Sequence, residues 1–178
     1  MRTRAFIGFG ANLGDPFATL PDVLKTLAAL PETQLAACSS YYRSAPLGVS
    51  GPQPDYINAV IALDTGLSPQ ALLDALLRLE DACGRQRATA LAPRPLDLDL
   101  LLYGEMVMQS PTLTLPHPRL HQRAFVLLPL AEIAPTLSIP GFGSLSALLE
   151  EVKGQRIERV QDIDDPVIPR SPSRRANR

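Results

Sequence analysis

The stretch Ala92-Pro93-Arg94-Pro95-Leu96-Asp97-Leu98-Asp99-Leu100-Leu101-Leu102-Tyr103 alternates apolar and acidic residues from Leu96 and then runs apolar. Alternation with period two marks a strand with two unlike faces. Residues i and i+2 of a strand share a face. Asp97 and Asp99 therefore stand side by side, about 6–7 Å apart at their Cα atoms from the strand rise. Leu96, Leu98 and Leu100 take the opposite face, toward the core. Asp is a poor strand former, and two carboxylates on one face repel, so the arrangement asks for a reason. A solvated outer face of an antiparallel strand is one. A hard divalent cation is the other, because Mg²⁺ is commonly held by one or two carboxylates plus substrate phosphates. Arg85, Arg87 and Arg94 lie just upstream. Guanidinium groups that grip phosphate, beside carboxylates that hold a cation, are the working parts of a phosphoryl-transfer site.

A chain of 178 residues, 46% of them apolar, is expected to fold as one domain with a core of its own. No apolar run approaches a membrane span. The N-terminus leads straight into a strand-like run without a signal-peptide core. Cys38 and Cys83 lack the spacing of a metal knuckle and read as reduced, buried thiols, so a cytoplasmic location is expected. A net charge of -1 excludes a strongly basic nucleic-acid module. The charge is nevertheless unevenly spread. Between Gly84 and Phe125 stand Arg85, Arg87, Arg94, Arg119, Arg123, His117 and His121, against Asp97, Asp99 and Glu105 alone. A local cationic excess beside two paired acids suits a polyanion carried with a metal.

Outward from the acidic strand, the chain reads as strand, helix, strand, strand, helix, strand. Ala5–Gly10 is a first strand. Asp15 caps a helix opened by Pro16 and running to about Leu30, with Pro21 arguing for a later start. Leu35–Tyr42 is a second strand, and the Pro- and Gly-rich loop 44–54 is long enough to be functional. Tyr56–Leu63 is a third strand, placing Tyr56 and Asn58 on one face, suited to a flat heterocycle. Ser68 caps a helix from Pro69 to about Cys83. Glu80 falls near its C-terminal end, where the helix dipole disfavours an anion. After Tyr103 a tight turn sends the chain back through Val107 and Met108 as a hairpin. His117 is held between two prolines. A short helix is expected at Arg123–Glu132, limited by Pro129, another at Leu145–Val152, and a strand at Ile157–Val160. This order predicts an α+β, ferredoxin-like (split β-α-β) antiparallel sheet with helices on one face, elaborated by a hairpin and short C-terminal helices. One catalytic domain is expected over 1–162, with 163–178 a disordered tail rich in Pro, Ser and Arg. Gly8, Gly10 and Gly14 have the wrong spacing for a dinucleotide fingerprint, and no Walker A motif occurs.

Six motifs stand in an order that resembles one family. They are GFGANLGD at 8–15, YYRSAPLG at 41–48, QPDYINA at 53–59, LEDACGRQR at 79–87, APRPLDLDLLLYG at 92–104 and LPHPRLHQRAFVLLPL at 115–130. The resemblance is to the 6-hydroxymethyl-7,8-dihydropterin pyrophosphokinases of folate biosynthesis, over residues 4–160. It implies transfer of pyrophosphate from ATP to the hydroxymethyl group of a reduced pterin, leaving AMP. Asp97 and Asp99 would then hold two Mg²⁺ ions. Tyr56 and Phe125 would sandwich the pterin, with Asn58 and backbone groups around Ser44 and Leu47 reading its amide edge, and Glu80 as an acid nearby. Arg85, Arg87, Arg94, His117 and Arg123 would meet the nucleotide's phosphates, with Leu100 beside the adenine and Arg85 and Arg94 counted as catalytic. ATP and the pterin are the expected partners of a monomer, with no nucleic acid and no membrane. The sequence departs from the family at Thr89-Ala90-Leu91, where a basic residue is usual, and at Leu77 and Thr112, which replace polar or basic nucleotide contacts; Arg87 and Arg119 remain to compensate. Two rival classes stay open on the residues alone. A ferredoxin-like RNA-binding module needs exposed aromatics on central strands, which this chain lacks. A metal-dependent nucleotidyl transferase would release pyrophosphate instead of AMP.

Overall fold

Strand β1 (Thr3–Ala11) sends Ala5, Ile7, Phe9 and Ala11 to one side and Phe6 to the other, and all five are buried. A strand buried on both faces lies inside a sheet that is covered twice. The computed structural model describes residues 1–45, 53–84 and 96–161. Within them β1 is followed by α1 (Pro16–Ala28), β2 (Thr33–Cys38), β3 (Tyr42–Ser44), β4 (Tyr56–Thr65), α2 (Pro69–Ala82) and β5 (Asp97–Tyr103). The main sheet runs β5-β1-β4, and β2 and β3 share the far edge of β4, one after the other. Every pairing is antiparallel. With β2 and β3 taken as one broken strand, this is the ferredoxin-like order expected. The expectations placed on Leu47, on Arg85, Arg87 and Arg94, and on the tail from 163 lie outside the described residues.

The first helix starts where its cap dictates. Asp15 accepts from the backbone N–H of Phe17 and Ala18 at 3.1 and 3.3 Å, and Pro16 opens the helix. The later start expected from Pro21 does not occur. Proline at 21 supplies no N–H to the Phe17 carbonyl, and the Tyr41 hydroxyl donates to that carbonyl instead, at 3.3 Å. The rings of Phe17 and Tyr41 meet edge-on at 5.0 Å. Leu20, Val23, Leu24 and Leu27 of α1, with Leu72 and Leu76 of α2, pack on one face of the sheet against Ile7, Phe9, Ile61, Leu98 and Leu100.

The second face corrects the expectation of helices on one side only. The chain beyond β5 returns beneath the sheet. A 3-10 turn (Leu120–Gln122) leads into α3 (Ala124–Ile133), which carries Pro129 within it, and later into α4 (Leu145–Glu151). Leu120, Val126, Leu127, Leu130, Leu145 and Leu148 bury Phe6, Val60, Ala62, Leu101 and Leu102. This explains why the acid/apolar alternation of β5 gives way to Leu100-Leu101-Leu102. The register also shifts there: Leu100 faces Ile7 and Leu102 faces Phe6, so Leu101 is an extra residue, a bulge. The expected hairpin is also rearranged. The chain does turn at Tyr103-Gly104-Glu105-Met106, with Met106 N–H on the Tyr103 carbonyl at 3.0 Å. However, β6 (Met108–Gln109) pairs with β7 (Thr114–Leu115) and not with β5. Gly104 sits at φ 53, and a Cβ there would lie 2.8 Å from Thr3 Cγ2. Strands β8 (Ser138–Ile139) and β9 (Gly143–Ser144) form a second ribbon, and β10 (Ile157–Arg159) adds to β3.

The single strand expected over 35–42 is broken at Ser39 and Ser40. Ser39 still donates its N–H to the Val60 carbonyl and accepts the Val60 N–H on its hydroxyl, both at 2.9 Å, whereas Ser40 turns to Glu132 of α3. Its carboxylate accepts from Ser40 N–H at 3.0 Å, from Ser40 Oγ at 2.6 Å and from the Tyr42 hydroxyl at 2.7 Å. Burial, and then the bond to Glu132, push the Tyr42 phenol pKa up. One carboxylate thus ties the lower helix to the kink between β2 and β3. Replacing Glu132 by Ala leaves three donors without that acceptor and should cost about 2 kcal/mol or more of stability. Urea unfolding of Glu132→Ala against the parent protein measures this, and an unchanged midpoint would show that water replaces the carboxylate.

Candidate active site

At one end of the sheet the lower layer stops short, and a cavity of about 990 Å³ opens there. Its floor is made by alternation. Gly8 pairs with Asp99 and Gly10 with Asp97 across β1 and β5, so all four residues face the cavity, while Leu96, Leu98 and Leu100 are buried behind. The glycines present no side chain, which leaves the space beside both carboxylates open. On the far side of β1, Gly10 pairs with Asn58. Asn58 is 4% exposed, and its amide donates to Ser44 Oγ at 2.8 Å and to the Tyr42 carbonyl at 3.3 Å. Its carbonyl oxygen therefore turns over Gly10, 3.6 Å from where a Cβ would stand. Tyr56 and Ser44 flank it at the rim.

The remaining walls come from three elements. Helix α2 contributes Leu73, Leu77 and Glu80, one stripe at helical spacing. The segment 110–114 lies opposite, with Thr112 Oγ bonded to Gln70 at 2.8 Å. From below come His117, Arg119, Arg123 and Phe125. Arg123 caps α3 and stands between an acid and a ring. Its guanidinium is 3.9 Å from Asp99 and 5.4 Å from the centre of Phe125. His117 is anchored by its own N–H to the Leu101 carbonyl at 2.9 Å. Its Nδ1 accepts from Arg119 N–H at 3.2 Å, which leaves the ring proton on Nε2.

The cavity therefore collects Ser44, Tyr56, Asn58, Glu80, Asp97, Asp99, Leu100, His117, Arg123 and Phe125, every expected site residue that is described. Leu100 reaches it only from the core, being 3% exposed. Two carboxylates on a floor, with cations on one wall and an aromatic rim, are arranged for an anion carried with a cation and for a flat ring beside it.

The sequence profile described as 7,8-dihydro-6-hydroxymethylpterin-pyrophosphokinase (HPPK) matches residues 6–135, which carry the whole of this cavity. The chain belongs to that family. The 2-amino-4-hydroxy-6-hydroxymethyldihydropteridine pyrophosphokinase of Haemophilus influenzae is 44% identical over 156 residues, covering 88% of this chain and 97% of its own. That of Pseudomonas aeruginosa is 44% identical over 160 residues, covering 90% and 98%. Among solved structures, the HPPK-DHPS protein of Plasmodium falciparum superposes with a TM-score of 0.73 at 12% identity, which speaks for the fold. It covers 93% of this chain, which spans about half of that larger one, 50%.

Sequence reading missed three features of this HPPK site. Gly8 and Gly10 were set aside as a failed dinucleotide fingerprint, yet they form the floor opposite the aspartates. Their signal was present: two glycines at period two in a strand leave one face bare. Leu73, inside the helix read over Pro69–Cys83, was given no part in the site, yet it lines the cavity. Arg119, noted only as a spare cation, lines the wall and raises the local positive potential.

That potential sets the state of His117. Burial first, then Arg123 and Arg119, lower its pKa from 6.5 to about 4, against the opposing pull of Asp97. The imidazole is thus neutral at pH 7 and donates through Nε2. In the unfolded chain it takes a proton near its ordinary pKa of 6.5. Between that pH and about 4 the unfolded state binds more protons, so this group's contribution to stability falls as pH falls through that window. Ring carbon shifts of His117 in the ligand-free protein should show no protonation midpoint above pH 5. A midpoint near 6.5 would mean the ring is solvated and the arginines remote.

Proposed function

We propose that this cavity binds ATP and a reduced 6-hydroxymethylpterin together, and transfers pyrophosphate from the first to the second. The pterin hydroxyl oxygen forms a new bond to the β-phosphorus, the bond from that phosphorus to the α,β-bridging oxygen breaks, and AMP leaves. The observation that carries this is the face shared by Asp97 and Asp99, laid open by Gly10 and Gly8 and fenced by Arg123 and His117.

Two Mg²⁺ ions belong to this reading. Asp97 and Asp99 offer hard oxygen donors, and among the described residues no group of three or more His, Cys, Asp or Glu could enclose an ion alone. Such a site suits a cation that arrives with phosphate and keeps its own water. When bound, Mg²⁺ neutralises phosphate charge and acidifies a coordinated hydroxyl. The chain's own residues do the rest. Arg123, 3.9 Å from Asp99 and not hydrogen-bonded to it, can swing to a phosphate oxygen at little cost. The neutral His117 donates Nε2–H to another. Asn58, held through its amide by Ser44, presents its carbonyl to the ring's amide edge, and Tyr56 and Phe125 offer faces for stacking. Leu73 and Leu77 give an apolar wall for the adenine, with Leu100 behind. Arg85, Arg87 and Arg94 are assigned to phosphate, and Leu47 to the pterin edge, on the family motifs. No helix among the described residues is long and apolar enough to cross a membrane. A monomer working in the cytoplasm completes the proposal.

Formation of AMP from ATP, Mg²⁺ and 6-hydroxymethyl-7,8-dihydropterin tests the whole reading, and release of free pyrophosphate instead would sink it. Asp97→Asn and Asp99→Asn should each abolish AMP formation while leaving the circular dichroism unchanged, since both side chains stand on the cavity face. Full turnover in either would remove the metal assignment. Phe125→Ala should weaken pterin binding by about 1 kcal/mol beyond the area lost, the worth of an aromatic pair. Calorimetry with each ligand separates this from a general loss, because ATP affinity should change less.

A further inference from the structure

The motif reading placed Glu80 beside the pterin. Its location in the fold assigns it a different task. Glu80 is 1% exposed, in the last turn of α2, where unpaired helix carbonyls already disfavour an anion. A carboxylate is buried at such a place only with strong partners. One partner is the backbone N–H of Leu98, which donates to Glu80 Oε1 at 2.8 Å.

That N–H is the one between the two aspartates. Strand β5 is the end of the sheet order, paired with β1 on one side only. In an antiparallel pair, successive residues turn their backbone groups alternately toward the partner and away. Leu98 turns away from β1, at a sheet edge where no strand among the described residues waits to accept. Glu80 occupies the place of that strand with a single charged acceptor. The bond holds the Asp97–Leu98 peptide plane, and this plane sets the direction in which Asp97 leaves the backbone.

We infer that Glu80 is a positioning residue for the cation-holding carboxylates, acting through the Leu98 N–H. This rests on the reading of Asp97 and Asp99 as cation ligands. The side chain's chemistry separates this role from the alternatives. Glu80→Gln keeps a side-chain oxygen at the same reach and discards the charge. Glu80→Asp keeps the charge and withdraws the oxygen by one methylene.

The experiment measures Mn²⁺ binding by electron paramagnetic resonance in the presence of α,β-methylene-ATP, and pterin binding by fluorescence, for both variants and for Asp97→Asn. Exchange of the Leu98 amide and cooperative melting are followed by NMR. Glu80→Asp should expose the Leu98 amide to exchange and weaken Mn²⁺ about tenfold or more, the usual loss on removing a group that orients a ligand, whereas Glu80→Gln should stay within about threefold. Pterin affinity should hold in both. Undiminished Mn²⁺ affinity in Glu80→Asp overturns the inference, as does a loss confined to pterin, which would return Glu80 to the pterin site. Should Glu80→Asp not fold, the Gln variant decides: retained Mn²⁺ affinity supports the inference, and lost affinity overturns it by showing that charge alone matters. Mn²⁺ binding unchanged in Asp97→Asn would instead refute the cation reading itself, whatever Glu80 does.

Discussion

Strand β1 pairs with β4 along nine residues from Thr3 to Ala11, and with β5 along six positions between Ala5 and Gly10. Two hydrogen-bonded neighbours on a strand buried on both faces leave it no freedom to slip, since a one-residue slide would exchange every side chain between faces. The alternation of β1 is therefore imposed on both partners at once. Odd positions build the core beneath α1 and α2. Even positions begin with the exposed Arg4, pass through Phe6, over α3, and end with Gly8 and Gly10. The glycines extend the sheet past the end of the lower layer without filling the space. Asn58 on one side and the aspartates on the other inherit their facing direction from this strand.

The lower layer gives the site its second half. Helix α3 starts at the cavity, with Arg123 and Phe125, and ends at Glu132, which grips Ser40 and Tyr42. The same β3 segment carries Ser44, which holds the Asn58 amide. The wall that offers an aromatic face and the strand that offers an amide carbonyl are thus joined through one carboxylate well behind the cavity. A rigid frame of this kind spares the cost of ordering the side chains when ligands arrive.

Much of this was legible before any coordinates. The face shared by Asp97 and Asp99, the pairing of Tyr56 with Asn58, the Asp15 and Ser68 caps and the split β-α-β order all follow from local periodicity and capping chemistry, which depend on neighbours in the chain. The misses share the opposite origin. Pro21 did not delay α1, because Tyr41, from the link between β2 and β3, satisfies the carbonyl that proline leaves unpaired. The strand over 35–42 broke because Glu132, some ninety residues on, offers Ser40 an acceptor for both its N–H and its hydroxyl. Glu80 looked out of place on its helix because its partner is the backbone of a strand that local reasoning cannot bring near. The second covered face escaped notice because the fragments that cover it, α3 and α4, are short, and α3 is apolar but for Glu132. The leucine run at 100–102 was its only trace.

The bulge at Leu101 divides β5 into two reading frames. Before it, acids face the cavity and leucines face the helices; after it, the phase has advanced by one, and Leu102 and Tyr103 take faces opposite to those that simple alternation would assign. Substitutions in either half leave the other half's geometry alone. A change of length does not. Loss of Leu98 with the bulge kept would turn Asp97 from the cavity into the apolar layer under α1 and α2 and part it from Asp99. The strand can accept many different letters, but it has to keep its count.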